Sequence, residues 1–499
     1  MKRVVTADEM RRYELARFSD GRANSLAWME RAAEGVDALL QAQYPEQTVL
    51  AVCGGGNNGG DGFALLRLLT QRGISCAGVL LASADKLAGD AKTNYQRALD
   101  CGVRFFDTCS GEMISNYDVL VDAMFGTGLS RPITGIYAEA IEKINASGKP
   151  VVAIDIPSGV DATSGAILGS AVRADFTVTF QFYKRGQLLF PGRGCCGKVI
   201  VHPLSDEMDE AEEELENVRL ITREDVSLLI PTRPTDSHKG KNGRALLCVG
   251  SGAYTGAALL STAACLRAGA GLTTAAIPGA VKHAFSTLPE AMAATVNDGL
   301  DWDETACKHA IALLPQKNAV CIGCGAGEGN ILSLVEAALT ARIPTVLDAD
   351  ALNQLSKSQI LLASMHENVI LTPHPAEMAR LCGESIERVL ADPIGIAQTY
   401  AKRWNCVVLL KGATTCISNG TEVRLNTSGN AGLAKGGSGD VLAGLITGLL
   451  AQGLAPLDAA TCGAYLLGAS ADTALILLKE RMLLARDVID AIGQTIEGV

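Results

Sequence analysis

The chain has 499 residues, 48% hydrophobic and 19% charged, which is too long for one core and sets an expectation of two or three domains. A net charge of −11, with no compensating basic stripe, argues against nucleic acid as a partner. The start, MKRVVTADEMRRYELARF, lacks the apolar core of a signal peptide, and no apolar run reaches bilayer length, so a cytoplasmic protein without a membrane partner is expected.

Residues 48–53, TVLAVC, read as a buried strand that ends in Gly54-Gly55-Gly56, and residues 62–73 carry apolar side chains at helical spacing. Between them Asn57-Asn58-Gly59-Gly60-Asp61 reads as a strand-end loop. It lacks the Gly-Lys-Ser/Thr ending of a P-loop and is not G-x-G-x-x-G. Residues 117–122 and 151–155 are further strands. Their loops are Asp122-Ala123-Met124-Phe125-Gly126-Thr127-Gly128 and Asp155-Ile156-Pro157-Ser158-Gly159. Continuous apolar strands separated by helices imply a parallel, doubly wound sheet, whose ligands bind at the carboxyl ends of the strands. Alone, NNGG and PSG are ordinary turn formers. Together at neighbouring strand ends they make a site the better reading, and their carboxylate and amide oxygens suit a hard cation. Residues 206–217, DEMDEAEEELEN, then break the pattern as an acidic linker, dividing the chain into 1–217 and 218–499.

The second half repeats the alternation, with strands expected at 245–249, 319–322, 344–348, 369–371 and 407–410 and helices at 256–268 and 440–451. A three-layer α/β domain follows. Gly250 to Ala257 runs into a helix and is a candidate anion site. Cys321 and Cys324 form a C-x-x-C without the second pair, or the histidines, that zinc needs. The other cysteines, such as Cys53, Cys248, Cys265 and Cys406, read as small buried hydrophobes. Asp348 and Asp350 are either neighbours of a nucleotide-bound magnesium or turn formers. His374, between two prolines at a strand end, is either stacked in its turn or in contact with substrate. Lys411 follows a buried strand and precedes Gly412, which reads as a mobile point charge for a phosphate tail against the commoner surface lysine. The most informative stretch is Gly436-Gly437-Ser438-Gly439-Asp440, ahead of an apolar helix. Glycines at a helix N-terminus let an anion approach free N–H groups. An acid at that mouth can take the proton of a hydroxyl being phosphorylated, where the plainer reading is a helix cap.

NNGGDG, D-x-x-F-G-T-G, IDIPSGVDATSG and LAWMERAA resemble the epimerase domain of the NAD(P)H-hydrate repair enzymes, over about residues 8–215. The resemblance implies a Rossmann-like domain whose Asn57, Asn58, Gly59, Gly60, Asp61, Gly126, Thr127, Gly128, Leu129, Ser130, Arg131, Pro132 and Tyr137 hold the hydrated dinucleotide. It also implies that Asp155 works at the reacting C6 position and that Asn58, Asp122 and Ser158 coordinate potassium. Tyr183 departs from the family, which usually has proline before the lysine. LTPHPAEMARL, VLDADAL, YTGAALL and the Gly436–Asp440 stretch resemble the ribokinase-like superfamily, and within it the ADP- or ATP-dependent NAD(P)H-hydrate dehydratase, from about Thr222 to Val499. That resemblance implies that Ala257, Gly327, His374 and Asp440 contact the hydrate. It assigns the nucleotide, with magnesium, to Lys411, Gly412, Ala413, Thr414, Thr415, Asn430, Gly436, Gly437, Ser438 and Gly439. Cys324 and Ala326 stand where Pro and Leu are usual, and Ala258 where Pro is usual. The expected protein is bifunctional, and a homo-oligomer. Its first domain interconverts the R and S hydrates of NADH and NADPH, and its second dehydrates the S form with ADP, or with ATP. A vitamin or sugar kinase of the same fold is the alternative enzyme. A first domain that only senses nucleotide is a further alternative, against which Asp61, Asp122 and Asp155 weigh together.

Overall fold

A computed structural model describes residues 1–19, 21–205 and 215–498, so most of the acidic stretch expected as a linker, 206–214, lies outside the described residues. Contacts divide the chain into two units, Lys2–Glu216 and Asn217–Val499, with Met1 counted in the second.

The strands of the first unit are β1 (Lys2–Val5), β2 (Val49–Cys53), β3 (Cys76–Leu80), β4 (Arg104–Phe106), β5 (Val119–Ala123), β6 (Val151–Ile154), β7 (Phe176–Phe180), β8 (Tyr183–Lys184) and β9 (Lys198–His202). Seven of them form a parallel sheet in the order β4-β3-β2-β5-β6-β7-β9. Alternation along β2 shows why the sheet is covered on both sides. Val49, Ala51 and Cys53 pack with Trp28, Phe63 and Leu66 from the helices Ser25–Gln43 and Asn57–Gln71. Leu50 and Val52 pack with Ile141 and Ile144 from the helix Ile136–Ala146. The order reverses between β3-β2 and β2-β5, and a doubly wound sheet opens its binding crevice at such a switch point. One local expectation changes. Asn57 to Asp61 are not a loop but the first turn of the helix Asn57–Gln71. Asn and Gly are weak helix formers in an interior, yet a first turn needs no intrahelical partner for its N–H groups. Tyr183 and Lys184 form a short strand paired in parallel with β1.

The second unit contains β10 (Val218–Leu220), β11 (Arg244–Cys248), β12 (Leu272–Pro278), β13 (Met292–Asn297), β14 (Ala319–Ile322), β15 (Thr345–Leu347), β16 (Val369–Leu371), β17 (Val407–Leu410), β18 (Thr415–Ser418) and β19 (Val423–Asn426). They run β13-β12-β11-β14-β15-β16-β17-β18-β19-β10. Pairing is parallel from β13 to β17, and β18 is antiparallel to both of its neighbours. The helix Ser438–Ala451 is buried from Val441 onward. It approaches the helix Thr255–Arg267 so closely that a Cβ on Gly444 would lie 2.1 Å from the Ser261 carbonyl oxygen. Among the described residues no helix is long and apolar enough to cross a membrane.

Candidate functional site

Each unit gathers acids at the carboxyl ends of its parallel strands. In the first, a cleft of about 890 Å³ is lined by Asn57, Asn58, Asp61, Gly126, Thr127, Gly128, Leu129, Ser130 and Asp155, together with Glu14 and Lys184. Asp155 follows β6 with φ +64°, a left-handed conformation that costs a non-glycine residue about 1–3 kcal/mol. Its backbone is held there by N–H donation to the Val178 carbonyl at 2.7 Å and by Gln187 Nε2, which donates to the Asp155 carbonyl at 2.6 Å. Lys184 Nζ donates to Asp155 Oδ1 at 2.6 Å, to Thr179 Oγ1 at 2.9 Å and to the Phe180 carbonyl at 3.0 Å, and Thr179 Oγ1 donates to the same Oδ1 at 3.1 Å. Oδ1 is thus occupied. Oδ2 faces Gly126, where an added Cβ would stand 3.2 Å from it and 3.1 Å from Asn58 Oδ1.

Around this pair Asp61, Glu14 and Asp122 are each raised above the ordinary carboxylate range. Burial, with the Asp155 and Glu14 carboxylates nearby, pushes Asp61 well above the ordinary carboxylate range. Burial raises Glu14 to about 7 even though Lys184 pulls the other way. Asp122 is fully buried and pushed up to about 6 by desolvation, although it accepts hydrogen bonds from Ser158 Oγ at 2.6 Å, Ser158 N at 2.7 Å and Met124 N at 3.2 Å. Asn58 is buried, and its amide nitrogen makes no hydrogen bond among the described residues. A desolvated carboxylate set among hydroxyl and amide oxygens suits a hard monovalent cation, so Asn58, Asp122 and Ser158 fit potassium chemically. Five sequence candidates for the dinucleotide do not line the cleft: Gly59 and Gly60 are buried in the first turn of the helix Asn57–Gln71, and three more lie elsewhere. Arg131 and Pro132 are exposed and do not line it, and the Tyr137 ring packs against Phe125 with centroids 4.7 Å apart. Two residues were not among the candidates. Lys184 was visible only as a lysine in an atypical loop. Glu14 belongs to a polar helix, Ala7–Ser19, whose sequence shows no strong apolar face.

In the second unit, Asp440 is the third residue of the helix Ser438–Ala451. The expected loop is shorter than the sequence suggested, because Ser438 and Gly439 are already helical. Gly437 precedes them at φ +100°, and no side chain caps this helix end, so its first N–H groups remain available to an anion. The mobile lysine expected at 411 is instead fixed. Lys411 Nζ donates to Asp348 Oδ1 at 2.9 Å, lies 3.9 Å from Glu377 Oε2, and has a side chain only 22% exposed. Burial opposes its charge, but Asp348 and Glu377 more than offset this and hold its pKa above the usual lysine value. A Cβ at Gly439 would lie 3.5 Å from Lys411 Nζ and 3.7 Å from Asp348 Oδ2, so β15, β17 and the helix start converge on one point. There Asp440 is raised to about 6, first by burial and then by the Asp348 carboxylate, with Lys411 pulling it down.

The remaining candidates divide. His374 is the N-cap of the helix Pro375–Cys382, where Nδ1 accepts from Ala376 N and Glu377 N at 3.2 and 3.3 Å. Its Nε2 lies 3.4 Å from Glu377 Oε1 on a side chain 47% exposed, so the ring caps its turn and still presents one nitrogen outward. Gly327, at φ +72°, donates its N–H to Asp350 Oδ2 at 2.8 Å and stands against Ser251, a buried hydroxyl without a partner among the described residues. A Cβ on Gly325 would lie 2.7 Å from the Ala257 methyl, which brings 257 and 327 into one neighbourhood. Gly412 and Ala413 are exposed, Thr414 is buried, and Thr415 begins β18. Asn430 is already committed, since its amide donates to Asp472 Oδ1 at 2.8 Å and accepts from Gly432 N at 3.0 Å.

Two family models match the chain. One, described as NAD(P)H-hydrate dehydratase, covers residues 245–493. The other, described as YjeF-related protein N-terminus, covers residues 25–186. The bifunctional NAD(P)H-hydrate repair enzyme Nnr of Moorella thermoacetica is 36% identical over 511 aligned positions, covering 98% of this chain and 95% of the relative. Its counterpart in Escherichia coli is 32% identical, covering 99% and 94%. Among solved structures, the ADP/ATP-dependent NAD(P)H-hydrate dehydratase of Bacillus subtilis, co-crystallised with ATP and Mg2+, is 33% identical with a TM-score of 0.51. That match covers 56% of this chain and 99% of the other.

Proposed function

The chain belongs to the family of bifunctional NAD(P)H-hydrate repair enzymes, and on that premise we propose how its two units divide the work. Residues 1–217 epimerise the R and S hydrates of NADH and NADPH, and residues 218–499 dehydrate the S form at the expense of ADP, with ATP as the second donor. The observation that carries the reading is the meeting of Asp440, Lys411 and an uncapped helix start.

Dehydration needs a better leaving group than hydroxide, whose conjugate acid has a pKa of about 15.7. Phosphoryl transfer to the C6 hydroxyl supplies one. Asp440 accepts the hydroxyl proton, and the N–H groups of Ser438 to Asp440 receive the phosphoryl oxygens. Lys411 exchanges Asp348 for a phosphate oxygen, a swap of one anion for another at nearly constant charge. The ring nitrogen lone pair then expels phosphate and restores the C5–C6 double bond. Asp348 Oδ1 is already taken by Lys411 and by Thr372 Oγ1 at 2.8 Å, so magnesium, when bound with the nucleotide, would find Asp348 Oδ2 as the oxygen this residue has left to offer.

In the first unit, Asp155 Oδ2 moves a proton at the hydrate while Lys184 fixes Oδ1. Asp61 supplies a proton, since its own is held tightly. Asn57 and the Gly126–Ser130 loop cradle the dinucleotide. Potassium, when bound by Asn58, Asp122 and Ser158, would supply the positive charge that the buried Asp122 lacks. We also expect a homo-oligomer, which the exposed Ile476, Leu477 and Met482 support and light scattering tests. The central test incubates the full chain with hydrated NADH and ADP and follows reduced-nicotinamide absorbance. Regained absorbance with release of phosphate is the expected result. A stable phosphorylated product without that regain would point to a small-molecule kinase instead.

A further inference from the structure

Cys324 has no part in the repair reaction, yet its thiol stands beside two of that reaction's carboxylates. We propose that Cys324, Asp348 and Asp440 form a binding site for a soft divalent cation of the Zn2+ or Cd2+ class, and that its occupation blocks the second unit's chemistry. One ligand atom from each of the three residues lies within 4.8 Å of the other two. Cys324 Sγ is 3.7 Å from Asp348 Oδ2. In a tetrahedral site, Zn–S near 2.3 Å and Zn–O near 2.1 Å put sulfur and oxygen ligands about 3.6 Å apart, so this edge is already formed. Asp440 needs a shift of about 1 Å, which a carboxylate rotation on the first helical turn supplies. Three protein ligands leave a fourth position for water.

Nothing local in the sequence marks this site, because its oxygen donors come from distant strand and helix ends, while the C-x-x-C lacks a matching pair. The thiol decides the class of ion. Magnesium and calcium prefer oxygen throughout, whereas thiolate beside carboxylate favours zinc or cadmium. Cys321 Sγ, 3.9 Å from Cys324 Sγ, orients that thiol. Asp348 Oδ1 stays with Lys411 and Thr372, so only Oδ2 is recruited. On binding, the hydrated cation sheds waters, the Cys324 thiol gives its proton to solvent, and no electron moves. Asp440, once ligated, no longer accepts the substrate's proton. This last consequence rests on the role proposed for Asp440, but the binding itself does not.

Titrating Cd2+ into the full chain, with sulfur-to-cadmium charge-transfer absorbance as the readout, tests the site. One equivalent should bind with a saturating band that is absent from Cys324→Ala, whose affinity falls by at least about tenfold. Thermal unfolding of that variant, and of Cys324→Ser, checks that the fold is kept. Cys321→Ala should retain the band. An unchanged band in Cys324→Ala, or no saturation near one equivalent, overturns the site. Zn2+ should also stop ADP-dependent dehydration, with recovery on adding a chelator. A Cys324-dependent band without inhibition would leave the site standing and remove Asp440 from the proton-accepting role.

Discussion

The two acids at the centre of the reading, Asp155 and Asp440, are treated in opposite ways by their surroundings. Asp155 has a buried ammonium 2.6 Å away, whereas Asp440 has a second carboxylate as its strongest charged neighbour and is raised to about 6. For Asp440 the folded-state pKa lies above that of the unfolded carboxylate. The fold therefore loses stability as pH rises between about 4 and 6, and carries the full penalty above that. Asp440→Asn should melt higher by calorimetry at pH 7 while losing turnover by about 10²-fold or more. In the parent, dehydration should fall as pH drops through about 6, because the base must be ionised to accept a proton. Asp155→Ala should leave S-hydrate repair intact and stop use of the R form beyond its spontaneous conversion, as read by chromatography of the two hydrates. It also strands Lys184 at 1% side-chain exposure, a loss of about 3–5 kcal/mol that a second change, Lys184→Met, should largely restore. Glu14→Gln should remove a break near pH 7 from the epimerisation profile. At this scale the positions of Asp155 and Asp348, directly after β6 and β15, were legible in the sequence, since each ends an apolar run. It missed the state of Lys411, because a lysine's partners lie on other strands, and it missed Glu14, because nothing local marks a polar helix as a cleft wall.

The element that most constrains the second site is the helix Ser438–Ala451. Its contact with the helix Thr255–Arg267 runs through Gly444 and Gly448, where an added Cβ would meet the Ser261 and Cys265 carbonyl oxygens at 2.1 and 2.6 Å. Gly444→Val should force the two helices apart and displace the first turn that carries Asp440. Both the melting temperature and the dehydration rate should fall, while epimerisation is untouched. Strands and helices were legible from hydrophobic period, with ends right to within a residue or two, as for the expected helix 256–268 against Thr255–Arg267. Asn57 to Asp61 were not, because low helix propensity argues for a loop while the structure uses these residues where propensity matters least. The same is true of Ser438 and Gly439.

For the whole molecule, the alternation of strand and helix announced two parallel-sheet units, and the acidic run marked where one pattern stops. Strand order was beyond the sequence, since the switch between β2, β3 and β5 and the antiparallel insertion of β18 depend on pairing between distant segments. Separate sites make a clean expectation for the intact protein. Asp440→Asn should still equilibrate R and S hydrates, and Asp155→Ala should still consume the S form, when both species are followed in one assay.

The left-handed backbone at Asp155 has a consequence for evolution in the laboratory. Glycine adopts φ +64° at no steric cost, and an apolar side chain in place of Lys184 would remove a buried ion pair. A screen that rewarded heat resistance alone, blind to hydrate repair, should drift towards that double replacement. Retention of an aspartate at 155 through such a screen would then reveal pressure from catalysis that no melting curve records.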